Sequence, residues 1–100
     1  MSGRRLRRST SAQRDLRAIL QSSIESWGQE RSDAYVASLA ETLERLALVP
    51  GLGRRRDEVG PGFRSHPVGV HVVLYRAAED EVVVLRIVHG RMEALTVPGG

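Results

Sequence analysis

Residues 63–91 constrain this chain most: β-branched side chains cluster there in runs bounded by Gly and charged turn residues, a composition that fits a pleated, half-buried surface. The runs predict a strand near 63–68, a second near 70–77, a turn at Ala78-Glu79-Asp80 and a third strand near 81–89. So short a turn requires the second and third strands to run antiparallel. Because side chains alternate along a strand, Val83, Leu85, Ile87 and His89 are expected on one face of the third strand and Val82, Val84, Arg86 and Val88 on the other. Both faces are largely apolar. With one of them covered, the second is left as an apolar surface of the kind that marks interaction sites.

The first half carries a different period. Ala12, Leu16, Ile19, Leu20, Ile24 and Trp27 fall on one helical face, and Tyr35, Val36, Leu39, Ala40, Leu43, Leu46 and Ala47 form a second stripe. Thr10-Ser11-Ala12-Gln13 reads as a capping box, with the Thr10 hydroxyl taking an orphan N–H and Gln13 reaching back. Gly28 suits a C-cap, and Pro50-Gly51 stops the second helix. The two stripes, joined by a short polar link, predict an antiparallel αα-hairpin. Ahead of it, Arg4-Arg5-Leu6-Arg7-Arg8 fits a short edge strand or a charged arm. Between hairpin and sheet, residues 50–62 read as a loop dense in Gly and Pro that carries Arg54-Arg55-Arg56. The tail 96–100 is expected to be disordered. The fold class is therefore α+β: an N-terminal strand, then an αα-hairpin packed on an antiparallel β-sheet, in a single domain over residues 1–100.

Composition removes several functions. The chain has no cysteine, which excludes a disulfide scaffold, a thiolate zinc site and a thiol nucleophile, and suits a reducing cytoplasm. All 15 basic residues are arginine, so no lysine serves as a base or forms a Schiff base, while planar forks are available for carboxylates, phosphates and protein interfaces. Aromatics make up 4% of the chain, too few for a base-stacking platform. The arginines near the N-terminus precede the polar run Ser9-Thr10-Ser11 where a signal peptide would be apolar, and no apolar run approaches the ~20 residues of a membrane span. A net charge of +3 does not by itself argue for nucleic-acid binding.

His66, His71 and His89 lack the spacing of a known zinc site and have no carboxylate nearby in sequence, so packing or hydrogen bonding on the sheet is their expected role, with no metal and no cofactor. Arg54, Arg55 and Arg56 read either as a solvated loop or as a phosphate clamp or partner contact, partly neutralised by Asp57 and Glu58. Arg64, Arg76 and Arg86 lie inside the strands, where long charged side chains need partners, and acidic groups of another chain would serve.

The order of strand, αα-hairpin and antiparallel strands resembles the ParE branch of the RelE/ParE toxin superfamily, over nearly the whole chain. The matching pieces are Asp15-Leu16 with Ile19, Trp27-Gly28, Tyr35 with Leu39, Pro50-x-x-Gly53-Arg54, Arg64-Ser65, Gly69-x-His71, Tyr75-Arg76, and Leu85-x-Ile87-x-His89-Gly90-Arg91-Met92. The resemblance implies a cytoplasmic type II toxin that is no enzyme. It implies neutralisation by a ParD-like antitoxin, inhibition of DNA gyrase, and contact with operator DNA only through the antitoxin. The binding surface is expected at Arg54, Arg55, Arg56, Arg64, His71, Arg76, Val82, Val84, Arg86, Val88, His89 and Arg91. The alternative is the RelE-like branch, whose members cleave messenger RNA on the ribosome. Its nuclease set is depleted here, since Gly90 follows His89 where a tyrosine is common and Val72-Val73 stand where a cation is common. What remains is His89, Arg86 and Arg91. A third reading, a DNA-binding protein with an arginine-rich arm, finds no recognition-helix pattern.

Overall fold

A computed structural model describes residues 4–92; the tail 96–100 lies outside them. The elements are β1 (Arg5–Arg8), α1 (Thr10–Trp27), α2 (Gln29–Leu48), a 3-10 turn at Pro50–Leu52, β2 (Arg54–Arg55), β3 (Phe63–Val68), β4 (His71–Ala77), β5 (Glu81–His89) and a final 3-10 turn at Gly90–Met92. They form two layers, a helical hairpin on a five-stranded sheet of order β1-β5-β4-β3-β2.

The helices begin and end where local chemistry dictates, one residue from the expected cap. Ser9, not Thr10, caps α1: its hydroxyl accepts the Ala12 N–H at 3.0 Å and donates to the Leu85 carbonyl at 2.9 Å. Thr10 has no such second role, so the cap that also ties helix to strand prevails. Gly28, at φ +87°, ends α1 and starts α2 in one residue, a backbone conformation that suits glycine. The helices approach closely through small residues. Ser32 is fully buried, and its hydroxyl crosses to the Leu20 carbonyl at 3.2 Å. The hairpin then lays Ala12, Ile19, Leu39, Leu43 and Leu46 on Val68, Val73, Tyr75, Val82, Val84 and Ile87 of the sheet.

β1 runs parallel to β5, Leu6 opposite Val82, while every other pair of neighbours runs antiparallel, so the sheet is mostly antiparallel, as expected. The loop over residues 50–62 also contributes a strand: Arg54 and Arg55 pair antiparallel with Ser65 and Arg64. Gly69 and Val70 turn β3 into β4, with Gly69 at φ +57°, as a two-residue hairpin with glycine first demands.

The faces of β5 differ from strict alternation. Tyr75 pairs with Val84 and Leu74 with Arg86, leaving Leu85 as an extra residue in a bulge. One inserted residue flips the side chains beyond it. Val82, Val84 and Ile87 therefore all face the helices, each at most 2% exposed. The expectation that Val82 and Val84 share a free face with Arg86 and Val88 is corrected: both valines are core, and their side chains are closed to any partner.

Candidate functional site

The sheet face opposite the helices carries Val72 and Leu74 of β4, Val83, Arg86 and Val88 of β5, and Phe63 and Ser65 of β3, as the pairing register places them. Leu74 and Val83 are nearly buried, Val72 and Val88 half-buried, and Arg76 exposed. No helix covers this face among the described residues. Of the aliphatic side chains on this face, Leu74 and Val83 are buried and only Val72 and Val88 are part-exposed among the described residues, in place of the expected Val82 and Val84.

The arginines around it have separated roles. Arg86 does not wait for a partner chain: its Nε and Nη2 donate to the two oxygens of Asp15 at 2.8 and 3.1 Å, and Asp15 Oδ2 also accepts the Ile87 N–H at 2.9 Å. That amide lies beyond the stretch of β5 that β1 pairs, so Asp15 completes the ladder from α1. The bond to Asp15, more than its charge, holds the Arg86 pKa above its ordinary value. Sequence reading missed Asp15 as this partner. Its signal was that it is the one acid among six arginines in residues 1–17.

The triple arginine splits three ways. Arg54 is exposed, Arg55 pairs with Asp57 at 3.1 Å on the surface, and Arg56 is buried, with Nε on Glu58 at 2.7 Å and Nη1 on Ser65 Oγ at 3.2 Å. The bond from Arg56 keeps the Glu58 carboxyl below the usual range. Arg56 is therefore structural, neither a solvated loop cation nor a surface contact. Arg64 donates from Nη1 to the Gly53 carbonyl at 2.8 Å, also within the chain. Arg76 lies 5.9 Å from the centre of the Phe63 ring, within cation–π range, and remains an open cation.

A second constellation anchors the 50–53 loop. Tyr75 is fully buried; its hydroxyl donates to the Pro50 carbonyl at 2.5 Å and accepts the Gly53 N–H at 2.9 Å. A Cβ on Gly53 would stand 2.3 Å from that hydroxyl, so the backbone must pass there bare. The matched pieces Pro50-x-x-Gly53 and Tyr75 are thus the two halves of one latch. Burial raises the Tyr75 pKa, with the Gly53 N–H and the Arg64 charge opposing.

At the other end of the sheet, His71 and His89 stand opposite one another, and the Tyr35 hydroxyl lies 2.7 Å from His71 Nδ1 and donates to the Val68 carbonyl at 3.0 Å. Tyr35 also meets Trp27 edge-on at 5.6 Å between ring centres. A cleft of about 400 Å³ opens here, lined by Ile19, Ser23, Trp27, Val70, His71 and His89 among others. Burial, then the neighbouring His89, lowers the His71 pKa, while burial raises that of Tyr35 against the amides of Val70 and His71. Trp27 and Val70 are 42% and 51% exposed on its rim.

The residues of the nuclease alternative do not converge. His89 points to the helix side of the sheet and Arg86 to the opposite side, closed on Asp15. Arg91 is exposed, and its backbone N–H, at 3.2 Å, is what meets His89 Nδ1. No three His, Asp or Glu side chains gather in a metal-binding group among the described residues, and none of their helices is long and apolar enough to cross a membrane.

Over residues 6–94 the sequence matches the family described as ParE toxin of type II toxin-antitoxin system, parDE. It is 35% identical over 86 residues to toxin ParE1 of Mycobacterium tuberculosis, an alignment spanning 85% of this chain and 88% of that protein. Among solved structures it is similar to the chromosomal ParDE toxin–antitoxin system of P. aeruginosa, with a TM-score of 0.74 and 25% identity over 86% of this chain and 95% of that one. It is also similar to the toxin-antitoxin complex RelBE2 from Mycobacterium tuberculosis, with a TM-score of 0.66 and 26% identity over 89% of this chain and 93% of that one.

Proposed function

The chain belongs to the ParE family of toxins of type II toxin–antitoxin systems, and on that premise we propose that it is a protein-binding inhibitor, neutralised by a ParD-like antitoxin and directed against DNA gyrase. Operator DNA is contacted only through the antitoxin. The observation that carries the inhibitor reading over the RelE-type nuclease is the closure of Arg86 on Asp15, on the sheet side away from His89. Cleaving a phosphodiester needs a base, an acid and cations converging on one point, and here the cation is spent on holding α1 to β5.

On this reading the antitoxin segment lies on the sheet face that the helices leave open. Apolar side chains would rest on Val72 and Val88, and acidic ones would meet the exposed forks of Arg76 and Arg54. A disordered segment with that chemistry orders as it binds, and charge-assisted bonds to guanidinium fix its register. Arg55, His71, His89 and Arg91 remain candidate contacts at the periphery.

The test adds the purified chain to gyrase and relaxed plasmid. Dose-dependent loss of supercoiling or accumulation of cleaved plasmid, relieved by the antitoxin, is expected. Unimpaired gyrase, together with transcript cuts on programmed ribosomes that vanish in His89→Ala, would transfer the function to the nuclease class.

A further inference from the structure

We propose that the cleft beside Trp27 holds a two-histidine site for a divalent late first-row metal ion, with His71 and His89 as its protein ligands. The pairing register sets the geometry. The Gly90 N–H bonds to the Val70 carbonyl at 2.8 Å, one residue outside the His71/His89 pair. The two histidines are therefore a non-hydrogen-bonded antiparallel pair, in which opposite Cα atoms lie about 4.5 Å apart and side chains approach most closely. Their ring centres are 5.8 Å apart. Two imidazoles bound to one tetrahedral ion at about 2.0–2.1 Å place their ring centres roughly 5 to 6 Å apart.

The His71 ring is already held by its other nitrogen. In the tautomer in which the Tyr35 hydroxyl donates to the Val68 carbonyl and receives the His71 Nδ1 hydrogen, the Nε2 lone pair of the neutral ring is free. A hydrogen bond at the far nitrogen is the usual outer support of a metal-binding histidine. The Nδ1 of His89 takes a longer contact, 3.2 Å, from the exposed Arg91 N–H. Ligation at Nε2 exchanges that contact for an Nδ1 hydrogen turned to water. The rings now meet at 71°, so the exposed His89 ring turns about its side-chain bonds to bring its nitrogen beside that of His71. With two protein ligands and no third gathered nearby among the described residues, water completes the shell and the ion exchanges freely. Imidazole without carboxylate selects copper(II), nickel(II) and zinc(II) over magnesium and calcium.

Trp27, the single tryptophan of the chain, lines the same cleft and reports on it. The experiment titrates the purified full-length chain with copper(II) or nickel(II) alone and follows tryptophan emission, with zinc(II) as competitor. Saturable quenching at one equivalent, reversed by a chelator and competed by zinc(II) but not magnesium, is expected. His89→Ala and His71→Asn should each abolish the saturable phase, and Tyr35→Phe should weaken it by about tenfold. His66→Ala, on β3, should leave it unchanged, and circular dichroism checks that each variant is folded. Quenching that never saturates, or a saturable phase that persists in folded His89→Ala, would overturn the site.

Discussion

Replacing Tyr75 by Phe removes one oxygen and unlatches a loop. The hydroxyl holds both the Pro50 carbonyl and the Gly53 N–H. Gly53 is buried, so its amide loses its acceptor without gaining water; Pro50 is half-buried and recovers some. A stranded buried donor costs about 1–3 kcal/mol and a partly hydrated carbonyl about 1 kcal/mol or less, so the variant should lose about 1–4 kcal/mol. In a domain of this size that lowers Tm by roughly 5–20 °C. Urea unfolding followed by circular dichroism gives the free energy, and an unchanged denaturant slope would show that the native state stays compact. Gly53→Ala forces a Cβ to within 2.3 Å of the hydroxyl and 2.7 Å of ring Cε1, at about 1–3 kcal/mol. Because one atom is central to both changes, the double variant should lose less than the sum. A folded Tyr75→Phe protein within about 0.5 kcal/mol of the parent would refute the latch, since that is what a neutral surface change costs.

Three further outcomes are expected. Asp15→Ala strands the Ile87 amide and releases the half-exposed Arg86, costing about 2–3 kcal/mol, while Asp15→Asn, which keeps an acceptor, costs about 1 kcal/mol; equal effects in chemical denaturation would contradict the edge-completing role. Arg76→Ala should weaken antitoxin binding measured by calorimetry by about tenfold or more with little loss of stability, whereas Arg86→Ala should first destabilise the fold; tight binding by Arg76→Ala would place the antitoxin elsewhere. Tyr75 and Tyr35 have folded pKa values raised above 10.0, so the folded state favours their protonated forms. That stability is full below pH ~10 and is lost as pH rises through the raised folded values; the alkaline decline should be shallower in Tyr75→Phe and shallower again with Tyr35→Phe.

Elements were legible in the sequence wherever periodicity and punctuation spoke, as in the stripes from Ala12 to Trp27 and from Tyr35 to Ala47 and the valine runs of β4 and β5. What escaped depended on contacts across the fold. Ser9 and Thr10 are equal as local caps; the Leu85 carbonyl, brought from the other end of the chain, decides between them. The bulge at Leu85 leaves no mark in a run of valines, yet it moved Val82 and Val84 from surface to core. Arg56 looks like its two neighbours until Ser65 and Glu58 close around it. Of the expected binding surface, the exposed Arg76 and the half-buried Val88 stand on the open face, while Arg64 and Arg86 serve the fold. Asp15, Tyr35 and Gly53 were visible as matched residues, but their tasks required the partners that only folding supplies.

The parallel seam between β1 and β5 sets an order of events during synthesis. Arg7 and Glu81, which bridge it, are 74 positions apart, so the first strand made can find its neighbour only after almost every other element has left the ribosome. Contacts of such sequence separation are slow to close and leave incomplete states exposed meanwhile. The Ser9 and Asp15 bonds to Leu85, Arg86 and Ile87 wait on the same strand. A nascent chain therefore carries a finished helical hairpin with no sheet beneath it, and stopping translation before residue 81 leaves a product that cannot close. The sheet closes only once β5 has been made, so the hairpin's apolar stripe stays uncovered until then.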